Sequence, residues 1–235
     1  MRTGEERFMT SSASAIDGPR LAPASGGAAR QLVVLCHGYG ADGSDLIGLG
    51  REWAGLLPDA AFVAPNAPEP CAISAFGRQW FGLSFRDPAE YWRGVREAGP
   101  GLDAFLDAEL ARHGLAGDAL GLVGFSQGTM MALHVGLRRE VGPAVVVGYS
   151  GALAGPEHLP GERKARPPIL LVHGDRDDVI PVEALSHARE GLAAAGLAVE
   201  WHVSEGVGHG IDPEGLRLGG QFLSRALSGP SSGDR

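Results

Sequence analysis

Ser126 stands in Gly124-Phe125-Ser126-Gln127-Gly128, a G-x-S-x-G run with an apolar strand pattern before it and an apolar helix pattern after it. Small residues two places on either side of a serine let a strand and the following helix approach closely, and the helix N-terminus then favours negative charge beside the hydroxyl. With 37 glycines in 235 residues the five-residue pattern alone is weak, and its place at a strand-to-helix junction is what gives it weight. A serine nucleophile needs a base, and the base needs an orienting acid. His209 lies in the glycine-rich loop SEGVGHGID, and Asp175, Asp177 and Asp178 follow the apolar run ILLVHG. The chain order is therefore Ser, Asp, His. Chemistry leaves the choice of acid open, since Asp178 could cap the helix expected near Pro181 and Asp175 could hold the turn.

The other histidines read as structural. His173 and His202 fall at or within strand patterns, whereas His113, His134, His158 and His187 fall in helical or loop segments. His209 differs because Gly206, Gly208 and Gly210 surround it and leave its imidazole on a bare loop. A rival chemistry comes from Gly38-x-Gly40-x-x-Gly43, whose spacing matches a dinucleotide-binding fingerprint and so an NAD(P)-dependent oxidoreductase. That reading requires an acid about twenty residues on, at the end of the second strand, for the ribose hydroxyls. The chain there reads Ala64-Pro65-Asn66-Ala67, and Asp42 and Asp45 bring negative charge to where a pyrophosphate would lie. A non-catalytic binding protein is a third reading, disfavoured by a complete Ser, Asp and His set.

These residues must be positioned by the elements between them. LVVLC (32–36), AAFVAP (60–65), ALGLVGF (119–125), AVVVGYS (144–150) and ILLVHG (169–174) are apolar runs expected as buried strands, and LAVEWHV (197–203) alternates as a last strand. Helical spacing appears at Leu46 to Leu57, capped by Ser44 or Asp45, from Leu102 to Leu110, over 127–139 and 181–195, and after Asp212-Pro213. Strands alternating with helices predict an α/β fold with a mostly parallel central sheet and helices on both faces, which binds ligands at the carboxyl ends of its strands. Residues 1–17 read as a disordered tail, 18–235 as a single domain with an edge strand near 18–29, and 66–88, with its three prolines, as a loop insert flanking the site.

Composition narrows the partners. The net charge is -8, with acids spread along the chain, so nucleic-acid binding is not expected. Cys36 and Cys71 form no metal-ligand spacing, and no metal or cofactor is called for. The N-terminus has no apolar core of a signal peptide and no run is long enough to span a bilayer, so a cytoplasmic protein without stable membrane insertion is expected. A homodimer is compatible with the sequence.

Together LCHGYGADG, GFSQG, HGDRDDVIP and GVGHG resemble the phospholipase/carboxylesterase family of α/β-hydrolases, which includes the acyl-protein thioesterases, over residues 18–228. The resemblance implies an α/β-hydrolase fold and a serine hydrolase of carboxylic esters with small or medium acyl chains or lysophospholipids, or else of acyl thioesters. It implies that Asp177, the fifth residue of H-G-x-x-D-x-x-V-P, is the acid, with Ile180 standing where valine is usual. It further implies oxyanion donors at the backbone of Tyr39 and Gln127 and substrate contacts at Gln79, Trp80 and Phe81, in FGRQWF.

Overall fold

The computed structural model describes residues 16–228 other than 85, 86 and 88, so most of the expected N-terminal tail lies outside the described residues. Each long apolar run becomes a strand: β1 Arg20–Leu21, β2 Gln31–Cys36, β3 Ala60–Val63, then β6 Leu120–Phe125, β7 Val145–Tyr149, β8 Ile169–Gly174 and β9 Val199–Ser204, with a separate pair, β4 Glu69–Pro70 and β5 Arg78–Gln79. The main sheet has the order β1-β3-β2-β6-β7-β8-β9. β1 is antiparallel to β3, and the remaining neighbours are parallel.

Alternation along β2 shows why these strands are apolar on both faces. Leu32, Val34 and Cys36 enter one core with α2 (Glu90–His113), α3 (Gln127–Gly136) and α5 (Glu183–Ala194); Val33 and Leu35 enter a second with α1 (Gly43–Trp53) and α6 (Pro213–Leu227). A strand between two helix layers has no wet face, so it reads as a continuous run. α4 (Leu159–Glu162) is a single turn. None of the described helices is long and apolar enough to cross a membrane.

Three expectations are corrected. α1 is capped by Asp42, not by Ser44 or Asp45: Asp42 has extended backbone, its carboxylate accepts the Ser44 N–H at 2.7 Å, and its own N–H donates to Asp45 at 3.0 Å. The 66–88 insert is not wholly without regular structure, because β4 and β5 pair antiparallel within it. α2 begins at Glu90, twelve residues before Leu102, where its periodicity becomes visible. Gly94, Gly99 and Pro100 obscure the first turns, yet glycine is demanded at 94, where a methyl group would stand 2.1 Å from the Phe81 ring.

Chain order reverses at β2, which has β3 on one side and β6 on the other. Such a switch point opens a crevice at the strands' carboxyl ends. Two loops leave the sheet there, one at His37 and one at Ser126.

Candidate active site

Ser126 occupies the turn between β6 and α3 with φ 53° and ψ -117°, a conformation that is costly for a residue with a side chain. Neighbours hold it there. Its N–H donates to the Tyr149 carbonyl at 2.9 Å. The Thr129 hydroxyl accepts the Tyr149 N–H at 3.1 Å and lies 2.8 Å from the Gly124 carbonyl and 2.9 Å from that of Tyr149, either of which can take its proton. Gly128 presses on the end of β2, so that a methyl group there would stand 1.9 Å from the Cys36 carbonyl oxygen. The Gln127 N–H is the first of α3, in the turn whose amides lack intrahelical acceptors.

The loop after β2 reaches the same point, since a methyl group on Gly38 would stand 3.2 Å from Ser126 Cβ. Below it His37 is fully buried: Nδ1 donates to the Gly38 carbonyl at 2.7 Å, and Nε2 accepts the Ala67 N–H at 2.9 Å. Burial pushes its pKa down, and these partners suit a neutral ring with the proton on Nδ1. The next residues lie along β5, with the Gly40 N–H on the Arg78 carbonyl at 2.9 Å and the Arg78 N–H on the Ala41 carbonyl at 2.8 Å. Tyr39 is thus fixed between two anchored residues.

Gln79, Trp80 and Phe81 are buried, and the structure gives Trp80 a supporting position. Its indole N–H donates to the His37 carbonyl at 3.0 Å. The Gln127 side chain accepts the Trp80 N–H at 2.9 Å and donates to the Phe81 carbonyl at 2.8 Å, tying the insert to the first turn of α3. Gln79 Nε2 donates to Glu69 at 2.9 Å. The sequence suggested only a backbone role for Gln127 and none for His37 or Thr129. No periodicity or short motif marks a side chain that bonds to backbone twenty, thirty or forty-six residues away, as those of Thr129, His37 and Gln127 do.

At the ends of β8 and β9 the structure brings Asp177 and His209 together. The Asp177 side chain is fully buried; one oxygen accepts the Val179 and Ile180 N–H groups at 3.0 and 2.9 Å, and the other accepts His209 Nδ1 at 2.8 Å. Burial pushes the carboxyl pKa up, but donation by His209, Ile180 and Val179 outweighs it and holds the group below its ordinary value. Asp175 instead accepts the Gly206 N–H at 2.6 Å and so steadies the loop that bears His209, while Asp178 is exposed. His173 is buried alongside, donating from Nε2 to the Ile180 carbonyl at 2.8 Å. An imidazole that donates a hydrogen bond from Nδ1 to Asp177 presents Nε2 on its other side, the arrangement a general base requires. Its ring packs on Phe125, the residue before Ser126, at 4.9 Å between centroids.

The Gly38, Gly40 and Gly43 loop has a different use from a phosphate cradle. The N–H groups of Asp42, Gly43 and Ser44 are taken by Asp45, Asn66 and Asp42 at 3.0, 2.8 and 2.7 Å. Gly43 is needed for packing, because a methyl group there would stand 2.0 Å from the Ala64 carbonyl oxygen. Side chains of the protein therefore satisfy the donors that would bind a pyrophosphate. Among the described residues no group of three or more His, Cys, Asp or Glu side chains is placed to hold a metal ion.

Residues 22–227 match the family model described as phospholipase/carboxylesterase. The Escherichia coli (strain K12) protein named esterase YpfH is 32% identical over 223 residues, which cover 88% of this chain and 91% of that one. Acyl-protein thioesterase 1 of Emericella nidulans is 27% identical, over 86% of this chain and 92% of the relative. The crystal structure of esterase PE8 superposes with a TM-score of 0.87 at 44% identity, covering 90% of this chain and 99% of that one. By this match over most of its length, on a fold of the same kind, the chain belongs to the phospholipase/carboxylesterase family of α/β-hydrolases and is a serine hydrolase acting on esters.

Proposed function

We propose that ester cleavage runs through an acyl-enzyme on Ser126, with His209 as general base and acid, Asp177 as the orienting carboxylate, and the Tyr39 and Gln127 N–H groups as oxyanion donors. The observation that carries this reading is the 2.8 Å contact between His209 Nδ1 and the buried Asp177 carboxylate, on a ring packed against the residue before Ser126. His209 Nε2 takes the hydroxyl proton as Ser126 Oγ bonds to the acyl carbon; the carbonyl oxygen gains the charge, which falls between two loop ends. Collapse breaks the bond to the leaving group, and the imidazolium returns its proton to the departing alkoxide. Water, deprotonated by the same imidazole, then releases the acid.

A cavity of about 290 Å3, walled by Gly38, Leu46, Phe125 and Ile211 among others, adjoins the elbow and is almost wholly apolar. That volume lies just below the range usual for drug-sized ligands, of roughly 300–1,000 Å3, and favours small or medium acyl groups. Gln79, Trp80 and Phe81 then affect the substrate by fixing the loop that bears Tyr39. A thioester substrate is a second reading, favoured by the likeness to a protein named acyl-protein thioesterase 1. The test is a chain-length series of p-nitrophenyl esters and acyl-CoA thioesters on the wild type and Ser126→Ala. Turnover should peak at short to medium chains and vanish in the variant. Wild-type turnover in Ser126→Ala would refute the nucleophile, and a maximum at long chains would refute the assigned cavity.

A further inference from the structure

We propose that the end of α3 remote from Ser126 carries a second ligand site, which takes the phosphate or carboxylate group of a small anionic molecule. A cavity of about 550 Å3 opens there between α2, α3 and α4. Eight residues of helix separate Ser126 from His134 in its wall, about 12 Å along the axis, so the cavity is apart from the nucleophile. Its wall holds five cations, Arg96, Arg138, Arg139, Arg163 and Lys164, against two acids, Asp103 and Glu162; from outside the wall Asp107 also pairs with Arg139 and Glu140 with Lys164, so the excess of positive charge rests on Arg96, Arg138 and Arg163.

The acids are already engaged. Glu162 accepts Arg138 Nε at 2.8 Å, and Asp103 pairs with Arg139. Three buried nitrogens in this wall have no hydrogen-bond partner among the described residues: Arg138 Nη2, Arg163 Nε and His134 Nδ1. A buried guanidinium N–H without an acceptor is costly, and one such group would be a local defect. Three around one cavity describe the outline of an acceptor that the protein itself does not supply.

The chemistry selects an anion. Arg138 and Arg163 can only donate, and their forks fit the paired oxygens of a phosphate or carboxylate. His134 is held neutral, pushed down to about 3 by burial and then by Arg138 and Arg96, and as a neutral ring it can donate from Nδ1. Gly99, Pro100 and Val135 add an apolar side to the cavity, which fits an anion attached to a small organic body better than a bare ion. Capping of α3 accounts for one bond here, from Arg138 Nη1 to the His134 carbonyl at 3.2 Å, and the Arg138 guanidinium also lies over the Trp92 ring at 5.3 Å, but neither contact gives Nη2 or Arg163 Nε a hydrogen-bond acceptor.

Calorimetric titration with inorganic phosphate and with citrate, at ionic strength fixed by chloride, tests the site on the full chain, because fixed salt suppresses exposed-charge effects. Saturable binding of at least one anion is expected, with a shift of the His134 imidazole resonances and an affinity about tenfold weaker in Arg163→Gln. Arg96→Gln serves the same purpose should the first variant fail to fold. Preference for phosphate or for citrate identifies which group the site takes. Binding of neither anion, equal affinity in a folded variant, or binding without a His134 shift would overturn the proposal.

Discussion

The elbow from β6 into α3 carries Ser126, and the connection from β3 to α2 meets its neighbour Gln127, but the two are held in place by different means. At the elbow everything is near in sequence or in the neighbouring strand: the Ser126 N–H is on Tyr149, Thr129 is on Gly124, and Gly128 is against Cys36. Among its described residues the connection carries only the short β4 and β5 pair and is fixed by side chains that bond to backbone, both within it and far along the chain. Arg78 donates to the Ala67 and Pro68 carbonyls at 2.7 and 2.6 Å, Trp80 to His37, and Gln127 closes the link to α3. Strain at Ser126 is thus borne by the sheet, whereas alignment of the loop that bears Tyr39 depends on a few polar contacts. Changes at the two places should fail in different ways.

The largest expected effect is on the acid that completes the elbow's chemistry. Asp177→Asn should lower kcat by about 10⁴-fold, with Asp175→Asn and Asp178→Asn far less impaired. Steady-state rates on one short ester check this, and a 177 variant that is the least impaired of the three would break the assignment. The same change has a signature in stability. Because the folded carboxyl lies below its ordinary 3.8, its contribution is fully present above that pH and is lost as pH falls through the lower folded value. Urea midpoints should therefore fall more steeply below about pH 4 in the wild type than in Asp177→Asn.

Gly128→Ala tests the elbow's packing. The added methyl group meets the Cys36 carbonyl and cannot be relieved by a rotamer, so a loss of about 3 kcal/mol or more and a melting temperature lower by roughly 5–10 °C are expected, or no soluble protein. Gln127→Ala probes the other region. With the clamp on Trp80 and Phe81 removed, kcat/KM should drop about tenfold while the melting temperature falls by only a few degrees, as measured side by side. A comparable stability loss in both variants would erase the distinction between the two regions. The smallest effect belongs to Phe76, which is 93% exposed in the insert between β4 and β5, so Phe76→Ser should change kcat/KM on a short ester by less than about twofold.

What could be read from the sequence follows the same division. Ser126 and Asp177 come just after apolar runs and His209 lies in the glycine-rich loop after the alternating last strand, so local pattern put them at the strand ends, and the resemblance separated Asp177 from Asp175 and Asp178. The sheet and its two helix layers were legible because strands buried on both faces leave long apolar runs. The insert was not, since Trp80 and Gln127 act through contacts that no window of sequence contains. The first turns of α2 were hidden by Gly94, which the Phe81 ring requires, and by Gly99 and Pro100, and the α1 cap by three candidate side chains within four residues, of which only the one with extended backbone could serve.

The most direct test of Ser126 as nucleophile is peptide mass spectrometry after reaction with a fluorophosphonate, which labels an activated serine and traps it. A single adduct on the peptide containing Ser126 is predicted, absent in Ser126→Ala and slowed in His209→Ala. An adduct on another serine, or undiminished labelling of the Ser126→Ala protein, would contradict it.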